Sequence, residues 1–228
     1  IFNTIIGRVL DLCLLALPND AHLDCSSVGQ VVSRLSDWAA SSIPAGDPSE
    51  VTLPFRITSL SLDFDDCFSH LDHARGVVMT GNTCWTAYEH NLLVENSTAV
   101  VIGPNNFDRN PRYAGEERPE TANDLIFRDS TDCTLTGFLV KGVRAAPAGV
   151  TVEKCSRFNI TNLTISDCDG AGLSLKDVTD SRVSGCLIRD DRPNAASVSL
   201  KASGGRANMI VDNLFGRPAD IPKGTGLV

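Results

Sequence analysis

The sequence predicts an all-β protein, a right-handed parallel β-helix of about six to seven coils with an N-terminal capping helix. One short apolar pattern returns six times, and each copy contains three short alternating segments separated by small or polar residues. A helical pattern precedes the repeats. We therefore expect a single domain over 1–228, with a lead-in segment 1–25, the capping helix 26–40, coils over 51–217 and a C-terminal tail 218–228.

The repeats begin at offsets of 23, 33, 25, 23 and 25 residues. This spacing is typical of solenoids, in which each coil buries its apolar face only against its neighbours. The clearest copy, 149–166, reads GVTVEKCSRFNITNLTIS. Its apolar side chains recur two apart, as at Val150 and Val152, which indicates strands with alternate residues pointing inward. The copies start at Phe68, Asn91, Asp124, Gly149, Gly172 and Ser197.

Corresponding residues of successive coils are expected to stack in columns, since neighbouring parallel strands lie about 4.8 Å apart. In the first strand of each coil we expect one inward column formed by Phe127, Val152, Leu175 and Leu200. In the second strand the aligned column contains Met79, Ile102, Leu135, Ile160, Val183 and, with a two-residue insertion in the last coil, Ile210.

A tight bend is predicted between the second and third strands. The residues aligned there are Gly81, Pro104, Gly137, Asn162, Gly185 and Asp212. Gly and Asn tolerate a positive φ, whereas Pro does not, so the coil of Pro104 must turn differently. One residue further, Asn82, Asn105 and Asn213 are expected to form an inward amide ladder that bonds to the turn backbone. The ladder is incomplete, because the middle coils carry Phe138, Leu163 and Cys186.

The segment SSVGQVVSRLSDWAA, at 26–40, has apolar residues at helical spacing behind a Ser cap. An open solenoid end exposes apolar side chains and unpaired strand edges. We therefore expect this helix to act as a lid on the N-terminal end. The following VTLPFRITSLSLDF returns to the spacing of strands.

The composition restricts the partners. A formal charge of -8 and the lack of a Lys/Arg run argue against nucleic acid, and no apolar run is long enough for a membrane span. The cysteines could be buried free thiols or form disulfides. Free thiols are favoured, because several of the cysteines align with Val, Leu or Ser of other coils. None forms a C-x-x-C pair, and we predict no metal site. The eight are Cys13, Cys25, Cys67, Cys84, Cys133, Cys155, Cys168 and Cys186.

The coil pattern at 149–165 and a helix followed by VTLPFRITSLSL resemble the pectin-lyase-like superfamily of parallel β-helices, over about residues 26 to 217. The resemblance implies a polysaccharide lyase or glycoside hydrolase acting on an extracellular polysaccharide, hence a secreted or cell-surface protein. A non-catalytic module for glycan binding, adhesion or assembly is the alternative. The paired-Asp, Gly-His-Gly and Arg-x-Lys motifs of polygalacturonases and the Arg-x-Pro-x-x-Arg motif of pectate lyases are absent. The cofactor stays open, with calcium a candidate for a lyase.

In this superfamily the substrate groove usually follows the outer face of the first strands. Strand alternation places one outward row there: Asp72, Glu95, Arg128, Glu153, Lys176 and Lys201. We assign Glu95, Arg128, Glu153 and Lys176 as catalytic candidates. A lyase must neutralise the uronate carboxylate and remove the C5 proton, and Arg128 or Lys176 could serve there. A hydrolase would use two carboxylates, Glu95 and Glu153, about 10 Å apart. The alternative is a solvated strand face with cross-strand ion pairs.

Two loops add candidates for substrate binding, together with Asp72 and Lys201 of the row. The long connection 105–122 carries Arg109, Arg112 and Tyr113, which suit a sugar carboxylate and a pyranose ring. A second loop before Asn91 carries Trp85, Tyr88 and His90, which suit stacking and proton transfer. The alternatives are a tolerated surface insertion and aromatic side chains that pack under the loop.

Overall fold

The computed structural model describes residues 55–57, 61–63, 69–85, 87, 89–109, 121–193, 195–223 and 226–227, with the backbone alone at 55–57, 61–63 and 226–227. These residues lie in one compact unit, Phe55–Val228. They form a parallel β-solenoid of about five turns, with further strands continuing the sheets at both ends. No helix occurs among the described residues. The capping helix 26–40 and the lead-in segment 1–25 lie outside them, and the domain limits and the count of six to seven coils stay predictions.

The strands, in chain order, are β1 (Phe55–Ile57), β2 (Ser61–Asp63), β3 (His70–Asp72), β4 (Val77–Met79), β5 (Thr83–Trp85), β6 (His90–Glu95), β7 (Val101–Ile102), β8 (Asn106–Asp108), β9 (Asp124–Arg128), β10 (Thr134–Thr136), β11 (Leu139–Lys141), β12 (Ala148–Glu153), β13 (Asn159–Thr161), β14 (Thr164–Ser166), β15 (Ala171–Lys176), β16 (Arg182–Ser184), β17 (Leu187–Arg189), β18 (Val198–Ser203), β19 (Asn208–Val211), β20 (Leu214–Phe215), β21 (Ala219–Asp220) and β22 (Gly226–Leu227).

Every third strand joins the same sheet, and all pairs are parallel. The first-strand sheet runs β3-β6-β9-β12-β15-β18-β21, the second-strand sheet runs β1-β4-β7-β10-β13-β16-β19-β22, and the third-strand sheet runs β2-β5-β8-β11-β14-β17-β20. Apart from the connection between β8 and β9, the connections between consecutive strands from β2 to β22 are too short for a crossover helix, so the chain makes parallel pairs there by completing a full turn. The predicted three-strand coil is therefore confirmed.

The predicted column of the second strands is confirmed along its whole length. Register pairs Met79 with Ile102, and the column continues through Leu135, Ile160 and Val183 to Ile210, all buried. Two edge-to-face aromatic pairs lie beside it. The ring centroids of Phe107 and Phe138 are 5.6 Å apart, and those of Phe127 and Phe158 are 6.1 Å apart. A continuous apolar core therefore follows the solenoid axis.

The predicted first-strand column is right for Phe127, Val152 and Leu175 but wrong for Leu200. Leu200 lies opposite Leu173, and Ala202 takes the place opposite Leu175. The two-residue insertion therefore precedes Leu200, and it does not lie between the first and second strands of the last coil, where the sequence alignment placed it. A shift of two residues keeps every inward side chain inward, so the period-2 pattern could not reveal it.

The predicted bend between second and third strands is confirmed. Gly81, Gly137, Asn162, Gly185 and Asp212 all have positive φ, and Pro104 does not. The amide ladder is also confirmed, since Asn105 Oδ1 accepts from the backbone and side chain of Asn82, and Asn213 bonds to the backbone of Cys186 and Val183. Two further columns of left-handed residues, at the corner between first and second strands, were missed: His73, Asn96, Asp129, Lys154, Asp177 and Gly204, then Gly76, Ala99, Asp132, Arg157, Asp180 and Ala207.

Candidate functional site

The charged row lies at the ends of successive strands of the first-strand sheet. Register places Asp72 beside Glu95, then Arg128, Glu153 and Lys176, one on each neighbouring strand. Lys201 does not continue the row, contrary to the prediction. It lies opposite Ser174, and Ser203 lies opposite Lys176, because of the two-residue shift in the last coil. We call Asp72, Glu95, Arg128, Glu153 and Lys176 the charged row.

Acidic and basic side chains of the row bind each other across coils. Glu95 Oε1 accepts from Arg128 Nη1 at 3.1 Å, and its Oε2 lies 3.1 Å from His70 Nε2. Glu153 Oε1 accepts from Lys176 Nζ at 2.7 Å. Asp72 Oδ1 accepts from Asn96 Nδ2 at 2.9 Å and lies beside His73 Nδ1. The row therefore consists of paired charges in the described structure.

The pairing stabilises the ionised forms of two acids and one base. The hydrogen bond from Lys176 lowers the pKa of Glu153, and the same contact raises the pKa of Lys176. The hydrogen bond from Asn96, followed by that from His73, lowers the pKa of Asp72. At neutral pH Glu153 and Asp72 are carboxylates, and Lys176 is an ammonium ion.

Arg109 ties together the two ends of the long connection. Its guanidinium donates to Thr121 Oγ1 at 2.8 Å, to Asn123 Oδ1 at 3.0 Å and to the carbonyl of Gly142, in the next coil, at 3.1 Å. Arg109 thus bonds to the protein itself, and its assignment to a sugar carboxylate stays a prediction. Arg112, Tyr113 and Tyr88 lie outside the described residues.

Trp85 does not lie in a loop, and that part of the prediction was wrong. It is the last residue of β5, in the third-strand sheet, opposite Asp63 and Asp108. Thr83 and Trp85 are half-buried on either side of the fully buried Cys84, as strand alternation requires. The aromatic side chain therefore belongs to a different face from the charged row.

His90 and Asp124 form a pair that the sequence did not indicate. His90 begins β6 and Asp124 begins β9, and His90 Nδ1 lies 2.5 Å from Asp124 Oδ1. The side chain of Asp124 is only 3% exposed, and that of His90 is 23% exposed. The hydrogen bond to Asp124 raises the pKa of His90, and the smaller effect of burial lowers it. The alignment of repeat starts at 91 and 124 places Asn91 opposite Asp124, and a register shift between His90 and Leu92 brings His90 there instead.

A second ionic cluster, also missed, closes the corner between β17 and β18. Asp190 accepts from Arg192 Nη2 at 2.6 Å and from Ser197 Oγ at 2.6 Å. Arg192 reaches the preceding coil, where its Nη1 donates to Asp169 Oδ1 at 2.7 Å. The backbone carbonyl of Asp190 accepts from Arg217 Nε at 3.0 Å. Every one of these groups has a partner within the protein, which indicates a structural role.

The described residues contain no group of three or more His, Cys, Asp or Glu side chains that could hold a metal ion. Five cysteines, namely Cys84, Cys133, Cys155, Cys168 and Cys186, are buried, and the last four are free thiols. Burial raises the pKa of Cys155 to about 12, and likewise that of Cys168 to about 12. Metal ligation requires the thiolate, so these thiols are poor ligands in the folded protein.

Thiol labelling tests the state of the cysteines. We expect Ellman's reagent to label no more than Cys13, Cys25 and Cys67 in the folded protein, because the other five of the eight are buried. After unfolding without reductant, all eight should react, since the sequence favours free thiols. Rapid labelling of more than three thiols in the folded protein would contradict the buried core positions.

A family model described as NosD, periplasmic copper-binding protein, matches residues 54–220 of this chain. No curated protein matches the sequence. Within the part of the chain that the structure describes, no helix is both long enough and apolar enough to cross a membrane.

Proposed function

We propose, for a chain that belongs to the NosD family, that the first-strand sheet binds a glycan without cleaving it. The family match covers the described solenoid almost completely. It agrees with the resemblance to the pectin-lyase-like superfamily, whose β-helices the strand topology reproduces. Fold alone leaves the function open, so the proposal depends on the charged row.

The observation that carries the proposal is the regular placement of hydrogen-bonding groups on neighbouring strands. Glu95, Arg128, Glu153 and Lys176 repeat once per coil at one register position. An extended polymer can lie along such a row and meet equivalent groups at each coil. Arg128, whose side chain is 39% exposed, retains four guanidinium N–H groups beyond the one that contacts Glu95. These suit the hydroxyl or carboxylate oxygens of a sugar.

The ionisation of the row favours binding over catalysis. A glycoside hydrolase needs one carboxylic acid that retains its proton, which requires a raised pKa, whereas the pKa of Glu153 is lowered. A lyase that used Lys176 as its base would need a neutral amine, whereas the pKa of Lys176 is raised. Glu95 is held between His70 and Arg128. The charged row therefore suits a contact surface better than an acid–base pair.

Copper is the ligand that the family description names, and the described residues do not fit it. Copper sites use imidazole, thiolate or thioether ligands. Each described histidine contacts a carboxylate: His70 with Glu95, His73 with Asp72 and His90 with Asp124. The described thiols are buried, and Met79 is in the core. Met209 is exposed but lies on β19, which pairs with β16 and β22 and not with a strand that carries a histidine. We derive no role for copper from these residues.

The family description also names the periplasm. A periplasmic location agrees at a coarse level with the expected placement outside the cytoplasm. Glycans of the cell envelope are accessible there, so the location is compatible with the proposed ligand. Secretion or display on the cell surface remains part of the proposal.

Affinity electrophoresis of the full chain against a panel of neutral and uronate-containing polysaccharides tests the proposal. We expect retardation by at least one of them, with no new reducing ends and no unsaturated uronate absorbance. Arg128→Ala should weaken that retardation by about ten- to a hundredfold, because a charge-assisted hydrogen bond contributes about 1.5–3 kcal/mol. The fold should persist, since Arg128 lies outside the hydrophobic core.

Arg157→Ala is the matched control. Arg157 forms an exposed ion pair with Asp132, at 2.6 Å, and lies at the corner between the first and second strands, outside the charged row. It should bind as the unmodified protein does. Absence of retardation by every polysaccharide, or equal losses in the two variants, would remove the proposal. New reducing ends or unsaturated products would replace it with a hydrolase or a lyase.

A further inference from the structure

The corner where β6 and β9 begin contains buried polar groups beside the apolar core. We define it by His90, Asn91, Asn123 and Asp124 and call it the β6–β9 corner. Asn91 is 1% exposed, Asn123 is fully buried, and the carboxylate of Asp124 is almost completely buried. A buried carboxylate costs several kcal/mol unless it is paired. The contact with His90 supplies that pairing.

The same corner contains two polar atoms without a hydrogen-bond partner, Asn91 Oδ1 and Asn123 Nδ2. The other end of the Asn91 amide donates to the carbonyl of Asn123 at 3.1 Å. The β6–β9 register shifts between His90 and Leu92, so Asn91 falls at an irregularity in the ladder. Each unsatisfied buried group costs about 1–3 kcal/mol. The corner therefore contains unsatisfied polar groups beside the ion pair of His90 with Asp124.

Several charges face His90. Asp124 acts most strongly and raises the pKa of His90, Glu89 acts in the same direction, and Arg128 on β9 acts against them. On the other side of the corner, Arg109 bonds to Asn123 Oδ1 and keeps its charge at all relevant pH values. Among these groups, His90 is the one whose charge changes near neutral pH.

We propose that the β6–β9 corner is a pH-sensitive switch, closed while His90 is protonated against Asp124 and loosened when His90 loses that proton. Loosening leaves a buried carboxylate without a cation and weakens the start of the β6–β9 pairing. It also affects Asn123, which is adjacent in sequence to Asp124 and is one of the groups that Arg109 binds. Protonation of His90 thus affects, through Asn123, the contacts of Arg109 with Thr121 and Gly142. It does not depend on the glycan proposal.

The direction of the pH dependence follows from linkage. The pKa of His90 is higher in the folded protein than its ordinary value of about 6.5. The stabilisation is therefore complete below about pH 6.5 and is lost as the pH rises through the folded value. Closure is favoured at the lower pH, and loosening is favoured above the folded value.

Hydrogen exchange of the full chain, corrected for the intrinsic rate, tests the switch at about pH 6 and about pH 8.5. We expect the amides of His90–Glu95 and Asp124–Arg128 to lose protection at the higher pH, while those of β12 and β15 do not. His90→Gln should abolish this difference. His73→Gln, which removes an exposed histidine at the end of β3, should retain it.

An NMR titration of the histidines supplies a second measurement that does not depend on the His90→Gln variant folding. The midpoint of His90 should lie above that of the denatured chain, and Asp124→Asn should lower it. Equal protection of the corner at both pH values in the unmodified protein would overturn the proposal. So would a midpoint of His90 that Asp124→Asn leaves unchanged.

Discussion

Asp190→Asn is expected to lower the free energy of unfolding by about 3 kcal/mol, because it removes the anion from a buried charge pair. The residue is 6% exposed and accepts three hydrogen bonds from Arg192, two from the side chain and one from the backbone, together with one from Ser197. The variant leaves the Arg192 guanidinium with Asp169 as its remaining ion-pair partner. Urea denaturation followed by circular dichroism measures the loss.

The pH dependence of this loss is a further part of the same prediction. Arg192 holds the pKa of Asp190 well below its usual range. The stabilisation is therefore fully present above the unfolded value, about pH 3.9, and disappears as the pH falls through the folded value. The difference between the unmodified protein and the variant should be constant near neutrality and should shrink in strong acid.

Asp191→Asn is the control for Asp190→Asn, because it changes the adjacent acid. Asp191 is 60% exposed in its side chain and makes an exposed ion pair with Arg189. Asp191→Asn should change the free energy of unfolding by less than about 0.5 kcal/mol. If the two variants are equally stable, the cluster around Asp190 does not hold the corner.

The parts of the fold that could be predicted depend on local periodicity. Alternation of apolar residues, with repeats about 23 to 25 residues long, was enough to align Met79 with Ile102 and the rest of that column. The left-handed bends at Gly81, Gly137 and Gly185 followed from the one residue type that adopts positive φ without strain. Asn96 and Asp129 adopt the same conformation, but their side chains are common in many other settings, so those corners were missed.

The parts that could not be predicted depend on contacts between residues distant in sequence. The two-residue shift that moved Lys201 out of the charged row preserves the inward and outward pattern, and only the pairing of β15 with β18 reveals it. The meeting of His90 with Asp124 depends on a register shift in β6. For the charged row, the residue types were predicted, but which charges pair depends on side-chain reach across coils.

Glycine is required at Gly170 for a reason that distinguishes it from Gly137, another turn glycine. Gly170 precedes β15 and has a φ of 66°, and a Cβ there would lie 2.2 Å from the carbonyl oxygen of Pro147 in the preceding coil. That oxygen already accepts a hydrogen bond from the amide of Ala171, so the backbone cannot easily withdraw. Gly137 has a similar φ of 68°, but its Cβ would meet only Pro104 Cγ at an ordinary distance of 3.5 Å.

Gly170→Ala is therefore expected to destabilise the solenoid by about 3–5 kcal/mol, the sum of about 1–2 kcal/mol for the left-handed conformation and the rest for overpacking against backbone. Gly137→Ala should incur only the first cost, about 1–2 kcal/mol. Urea denaturation of both variants, with hydrogen exchange of β12 and β15, separates the two effects. Local loss of protection should appear at Ala148–Glu153 and Ala171–Lys176 in Gly170→Ala. Equal destabilisation by the two substitutions would show that backbone strain alone, and not the close stacking of coils at Pro147, requires glycine at Gly170.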